Sequence, residues 1–158
     1  MQVLQTTVSD KLLYQCNQEI DHYLKSHERV WSSSNTTWSP SLYEGIDGTC
    51  LAATPSDIIL MKIRAAVIDY LPPSNKININ YHYWHKGAGI NWHTDAGHIF
   101  AATLYLNDWD KRWGGLFLYN DRWLCPKPGT LVINDKLEEH CVTPTNRPNR
   151  RSVQIWGK

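Results

Sequence analysis

Apolar residues recur at two different periods along this chain, and the change of period falls at Pro72-Pro73. Between Ser9 and Lys25 the apolar positions Leu12, Leu13, Cys16, Ile20, Tyr23 and Leu24 follow helical spacing, with Ser9 placed to cap the first turn. A second helical stripe, Ile59, Leu60, Ile63, Val67 and Leu71, follows Thr54-Pro55 and stops at the proline pair. Thr54 suits the N-cap, Pro55 the first turn, and Asp57 the positive end of the helix. The intervening "WSSSNTTWSPSLYEGIDGTCLAATP" has no period and is rich in Ser, Thr, Gly and Pro, the composition of a long loop able to act as a lid.

After Pro73 the pattern shortens to strands. "KININYHYW", "HIFAATLYLN", "GGLFLY", "RWLC", "GTLVIN" and "RRSVQIW" are β-rich runs separated by Gly, Pro, Asn and Asp. Short strands following helices predict a β-sandwich or barrel with the helices packed on one outer face. The chain is therefore expected to be mainly β with flanking helices (α+β). It is read as a single domain over 1–158, with helical support about 1–73 and a β core about 74–158.

Composition narrows this picture. Apolar residues make up 42% and charged residues 20%, a globular balance. A net charge of +1 gives no polyelectrolyte footprint for nucleic acid. Eight tryptophans and eight tyrosines against two phenylalanines favour large apolar surfaces with polar handles, as in pocket walls. Cys16, Cys50, Cys125 and Cys141 form no CxxC pair and read as free thiols of a reducing compartment. No signal peptide is expected at "MQVLQTTVSDKLL", and no apolar run approaches the roughly 20 residues of a membrane span. The expected setting is cytoplasmic, with no membrane partner. The sequon Asn35-Thr36-Thr37 then carries little meaning.

The candidate chemistry centres on "INWHTDAGH". In a strand, His93 and Asp95 share one face while Thr94 turns away. Two histidines and a carboxylate on a first-row metal leave open positions, the arrangement of non-heme Fe(II) oxygenases. His140, following "GTLVINDKLEE", is the best candidate for the remote third ligand, beginning a strand-like stretch expected to hairpin into the last strand. His22 and His27 read as surface residues, and His82, His85 and His98 remain nearby alternatives. In "RRSVQIW", Arg150, Ser152, Gln154 and Trp156 share a face opposite Arg151, Val153 and Ile155. If His140 faces a metal, Arg150 can reach the same cavity and hold a carboxylate in bidentate fashion, with the Ser152 hydroxyl as a second donor.

The ordered segments "YWHKGAGINWHTD", "ATLYLNDWDKRWGGLFLY", "PKPGTLVIND", "HCVTP" and "RRSVQIW" resemble the 2-oxoglutarate/Fe(II)-dependent dioxygenases, most closely the prolyl 4-hydroxylase-like branch. The resemblance implies a double-stranded β-helix (jelly roll, cupin-like) with the N-terminal helices packed on one sheet. It implies Fe(II) bound by His93, Asp95 and His140, and Arg150 paired with the distal carboxylate of 2-oxoglutarate. Tyr105 matches a tyrosine that helps to hold that carboxylate, Tyr83 one that lines the cosubstrate pocket, and Trp156 an aromatic on its wall. The implied reaction converts 2-oxoglutarate and O2 to succinate and CO2 and hydroxylates an unactivated C–H bond, with ascorbate as a candidate reductant. The implied partner is a peptide or protein containing proline, or else a small molecule.

Two departures qualify the resemblance. Gly114-Gly115-Leu116-Phe117 lacks the acidic residue common at this point of the superfamily, and the cosubstrate residue is arginine rather than the lysine of collagen-type enzymes. The second leans toward hypoxia-factor or bacterial types. An AlkB-type nucleic-acid demethylase shares the ligand pattern, but that group carries a second arginine where Trp156 stands. A free amino acid hydroxylase of the same superfamily stays open. A non-catalytic jelly-roll binding module would be expected to have lost a ligand or the arginine, and all four are present.

Overall fold

The fold was described from a computed structural model, over residues 1–5, 7–34 and 38–158. The sequon Asn35-Thr36-Thr37 lies outside the described residues. The first helix, α1 (Asp10–Lys25), begins where Ser9 Oγ accepts the Leu12 N–H at 3.2 Å. The second, α2 (Asp57–Val67), starts two residues later than a Thr54 cap predicts. Ser56 occupies the N-cap without a side-chain bond, and its own N–H donates to Glu19 Oε1 of α1 at 2.9 Å. The expected cap, Thr54, instead bonds Asn80 Oδ1 at 3.4 Å. A strand runs up to Ala53, so Thr54 and Pro55 remain in the connection.

Two antiparallel sheets form the body. Seven strands build the larger: β1 (Gln2–Leu4), β2 (Ser32–Ser33), β3 (Cys50–Ala53), β4 (Ile77–Trp84), β6 (Phe100–Tyr105), β9 (Leu131–Asn134) and β11 (Arg150–Gly157). Their order is β1-β9-β6-β11-β4-β3-β2. The smaller sheet has the order β5-β10-β7-β8, from β5 (Ile90–His93), β7 (Phe117–Tyr119), β8 (Arg122–Leu124) and β10 (His140–Val142). Strand β10 pairs with β5 and β7, and not with β11. The expected hairpin between His140 and the last strand is thus replaced by a crossing between sheets, which sets His140 and Arg150 on opposite walls.

Strand alternation divides the large sheet cleanly. Ile79, Tyr81 and Tyr83 of β4, Phe100, Ala102 and Leu104 of β6, Leu131 and Ile133 of β9, and Val153 and Ile155 of β11 face the helices. They pack there against Leu12, Leu13, Cys16 and Ile20 of α1 and Ile59, Ile63 and Val67 of α2. Burying these side chains contributes roughly 1.5–3 kcal/mol for each large one. The alternate residues of the same strands turn inward toward the small sheet, which leaves a cavity between the two. Beside β5, a 3-10 turn at Pro40–Leu42 packs over the edge, and Asn91 Nδ2 donates to Ser41 O and Glu44 O at 3.0 Å each. Part of the supposed loop is therefore strand, and part closes the cavity through Trp38 and Leu42. Among the described residues no helix is long and apolar enough to cross a membrane, and all four cysteines are free.

Candidate active site

The cavity holds about 740 Å³ and is lined by residues of both sheets. On the small sheet, His93 of β5 lies directly across from His140 of β10, with ring centroids 4.3 Å apart. Asp95 follows β5 and turns back toward both. His93 Nε2 stands 3.7 Å from Asp95 Oδ1, and His140 Nε2 stands 3.4 Å from Asp95 Oδ2. One donor atom from each residue lies within 4.8 Å of the others, among the described residues the one such grouping able to hold a metal ion.

The hydrogen bonds behind these rings determine which nitrogen is free. His93 Nδ1 is 2.7 Å from the Asn91 carbonyl, and His140 Nδ1 is 2.9 Å from the Glu138 carbonyl. A carbonyl only accepts, so Nδ1 carries the proton in both and Nε2 presents its lone pair to the cavity. Asn134 holds the carbonyl behind the second ring in place: its Nδ2 donates to Glu138 O at 2.9 Å and its Oδ1 accepts the Glu138 N–H at 2.8 Å. Phe117 stacks on His140 at 5.0 Å. Burial lowers the pKa of His140, with the Glu138 carbonyl and the Asp95 charge opposing, and a neutral imidazole is the form that ligates. Asp95 Oδ2 is buried and accepts no hydrogen bond. A buried carboxylate oxygen facing two imidazole lone pairs needs a cation, and the separations lie within reach of two bonds of about 2.1 Å. The donor set therefore fits Fe(II).

Across the cavity, Arg150 is 2% exposed, yet Nε, Nη1 and Nη2 are all buried without a hydrogen-bond partner. Its guanidinium lies over the rings of Tyr105 at 4.6 Å and Trp109 at 5.1 Å. Burial lowers the pKa of Arg150, yet a guanidinium stays charged throughout the accessible range. The Tyr105 hydroxyl is pushed up to about 12, chiefly by burial, with Arg150 opposing, so it stays protonated. Ser152, also buried, lies opposite Tyr105 in the sheet register. A charged fork with five unmet donors beside two hydroxyls is a site for a carboxylate. Gly115, at φ +62°, keeps this end open, since a Cβ there would lie 3.9 Å from Arg150 Nε and 2.9 Å from Thr145.

A family model described as the 2OG-Fe(II) oxygenase superfamily matches residues 79–158, just over half of the chain. The chain belongs to that superfamily. It is a 2-oxoglutarate-dependent dioxygenase, and its family uses Fe(II), 2-oxoglutarate and O2. No curated protein matches it by sequence. Solved structures share its fold over nearly the whole chain. A prolyl-4-hydroxylase from Pseudomonas putida is 16% identical with a TM-score of 0.72, covering 99% of this chain and 91% of that one. A prolyl hydroxylase from Trichoplax adhaerens, solved with a hypoxia inducible factor oxygen degradation domain peptide fragment, is 13% identical with a TM-score of 0.77, covering 99% and 82%. A viral collagen prolyl hydroxylase from Paramecium Bursaria Chlorella virus-1, in a 2OG complex, is 13% identical with a TM-score of 0.67, covering 98% and 93%.

In this dioxygenase, His93, Asp95, His140, Arg150, Tyr105, Ser152 and Trp156 all line the one cavity. Tyr83 does not, which corrects its expected place on the cosubstrate wall. It faces the helices, packed against Trp31 at 6.1 Å and beneath Arg151 at 6.0 Å. Its neighbours His82 and Trp84 take the inward positions, because a shift of one residue in a strand reverses the face. The alternation Ile77, Ile79, Tyr81, Tyr83 was already a helix-facing stripe in the sequence. Trp109 and Asn134 also lacked assigned roles, although both fall inside the motifs that carried the family resemblance.

Proposed function

We propose that this dioxygenase hydroxylates a prolyl residue within a peptide, with iron held by His93, Asp95 and His140 and the distal carboxylate of 2-oxoglutarate held by Arg150. The observation that carries the cosubstrate assignment is the Arg150 guanidinium, buried and unpartnered on the wall opposite the three metal-binding side chains. With iron and O2 bound, the site would supply the oxidation that turns 2-oxoglutarate into succinate and CO2 and places one oxygen on a C–H bond.

The chain's own residues orient the components. The backbone carbonyls of Asn91 and Glu138 hold both imidazoles with Nε2 inward. Arg150, with the hydroxyls of Ser152 and Tyr105, fixes the cosubstrate at one end so that its 2-oxo acid end reaches the metal ligands. Phe117, Val132 and Val142 exclude water between the two poles. Proline as substrate is supported by the shared fold of three prolyl hydroxylases across nearly the full chain. A reducing cytoplasmic setting, with all four thiols free, belongs to the same proposal.

The test is incubation with Fe(II), 2-oxoglutarate, O2 and ascorbate in the presence of a peptide library or free proline, followed by mass spectrometry. Gain of one oxygen on prolyl peptides, with matching succinate, is the expected result. Modification of free proline alone, or of residues other than proline, would overturn the peptidyl-proline assignment.

A further inference from the structure

His82 is the odd residue of the cavity. It sits on the inward face of β4, 4% exposed, and makes no hydrogen bond within the described residues. Three indoles surround it, with ring centroids at 6.5 Å for Trp38, 6.2 Å for Trp84 and 5.8 Å for Trp156. A phenylalanine or leucine would fill that space without setting two polar nitrogens on the cavity wall among indoles. Both ring nitrogens are therefore available to whatever occupies the cavity.

The surroundings indicate the chemistry of that occupant. Burial alone lowers the pKa of His82, to about 4, and no charged side chain is among the causes. The imidazole is neutral near pH 7, with one N–H to donate and one nitrogen to accept. The carboxylate of 2-oxoglutarate has its own cationic partner in Arg150, and the 2-oxo acid has the metal. A neutral imidazole on which no charged side chain acts matches a neutral polar group. The indoles beside it match the C–H faces of a small apolar ring.

We propose that Trp38, His82 and Trp84 form a subsite for a compact, uncharged saturated ring bearing an amide, with the His82 imidazole N–H donating to the amide carbonyl. A prolyl residue within a peptide has this chemistry, so the subsite deepens the peptidyl-proline reading and rests on it.

The test uses Zn(II)-loaded protein with saturating 2-oxoglutarate, in which no turnover occurs, and N-acetylprolinamide as probe. In wild-type protein labelled with ¹⁵N-histidine, the His82 ring signals are expected to shift on titration, while those of the exposed His22 and His27 stay fixed. His82→Phe should weaken probe binding at least tenfold, and His82→Asn, which keeps a donor, should stay within threefold of wild type. Equal affinity in His82→Phe, an unmoved His82 signal, or a tenfold loss that falls on 2-oxoglutarate instead would each overturn the subsite. Probe binding that depends on His82, without hydroxylation of any prolyl peptide, would reject the proline assignment and keep the subsite. Peptide hydroxylation indifferent to His82 would do the reverse.

Discussion

Replacing Arg150 with methionine should move stability and cosubstrate affinity in opposite directions. Without ligand, the wild-type guanidinium is buried with none of its nitrogens bonded. Exchanging a buried ionic group for an apolar one of similar reach is neutral to stabilising, by up to about 4 kcal/mol. The cation–π contacts with Tyr105 and Trp109 offset about 0.5–2 kcal/mol of that gain. A net gain of about 1 kcal/mol corresponds to a rise in Tm of about 2–4 °C for a chain of this size. With 2-oxoglutarate the sign reverses. A bidentate pair offers two charged hydrogen bonds of about 1.5–3 kcal/mol each, so its loss should weaken binding on the order of 10²- to 10⁴-fold. Thermal unfolding of Zn(II)-loaded protein, with and without 2-oxoglutarate, reads both effects. At 100 times its Kd the cosubstrate adds about 2.7 kcal/mol to wild type, and this increment should vanish in Arg150→Met at the same concentration. A variant less stable than wild type without ligand, yet binding 2-oxoglutarate normally, would refute the reasoning, since Arg150 would then be a packing residue.

Other expectations follow from the same contacts. Asn134→Ala removes the brace behind His140 and should lower Fe(II) affinity about 10- to 100-fold, measured by competition with a chelator. Tyr83→Phe should leave the 2-oxoglutarate requirement within about twofold of wild type, because the ring faces the helices; a tenfold increase in that requirement would place it back on the cavity. The folded-state pKa of His82, about 4, lies below the 6.5 of a free histidine, so the unfolded chain binds the extra proton. Stability from this residue is therefore complete above pH 6.5 and falls between 6.5 and 4, by about 3 kcal/mol in all. His82→Phe should flatten that part of the curve in denaturant titrations at stepped pH.

Much of the site was legible because it depends on short-range alternation. Arg150 with Ser152 and Trp156 needs only the period of a strand and the family's motif order, whereas β5 ends at His93 and a turn, not alternation, brings Asp95 back to it. The same rule turns Tyr83 away, because it continues the helix-facing stripe of Ile77, Ile79 and Tyr81. The partner of β10 was not legible. Which strands pair is decided by how two sheets close over a shared core, and proximity in sequence favoured a hairpin that the fold does not make. The start of α2 departs from the sequence pattern for a similar reason. Thr54 has the chemistry of a cap, but strand β3 holds the chain extended through Ala53, and Glu19 from α1 satisfies the Ser56 N–H instead. In the sequence His82 is one histidine among several, because its lack of a partner appears only once the cavity around it is known.

The most direct test of the two-pole cavity is an anaerobic crystal structure with Mn(II) in place of iron and 2-oxoglutarate bound. We expect the metal on His93 Nε2, His140 Nε2 and the Asp95 carboxylate, with the distal carboxylate paired to Arg150. A metal bound by any other set of side chains, or a cosubstrate whose distal carboxylate avoids Arg150, would contradict it.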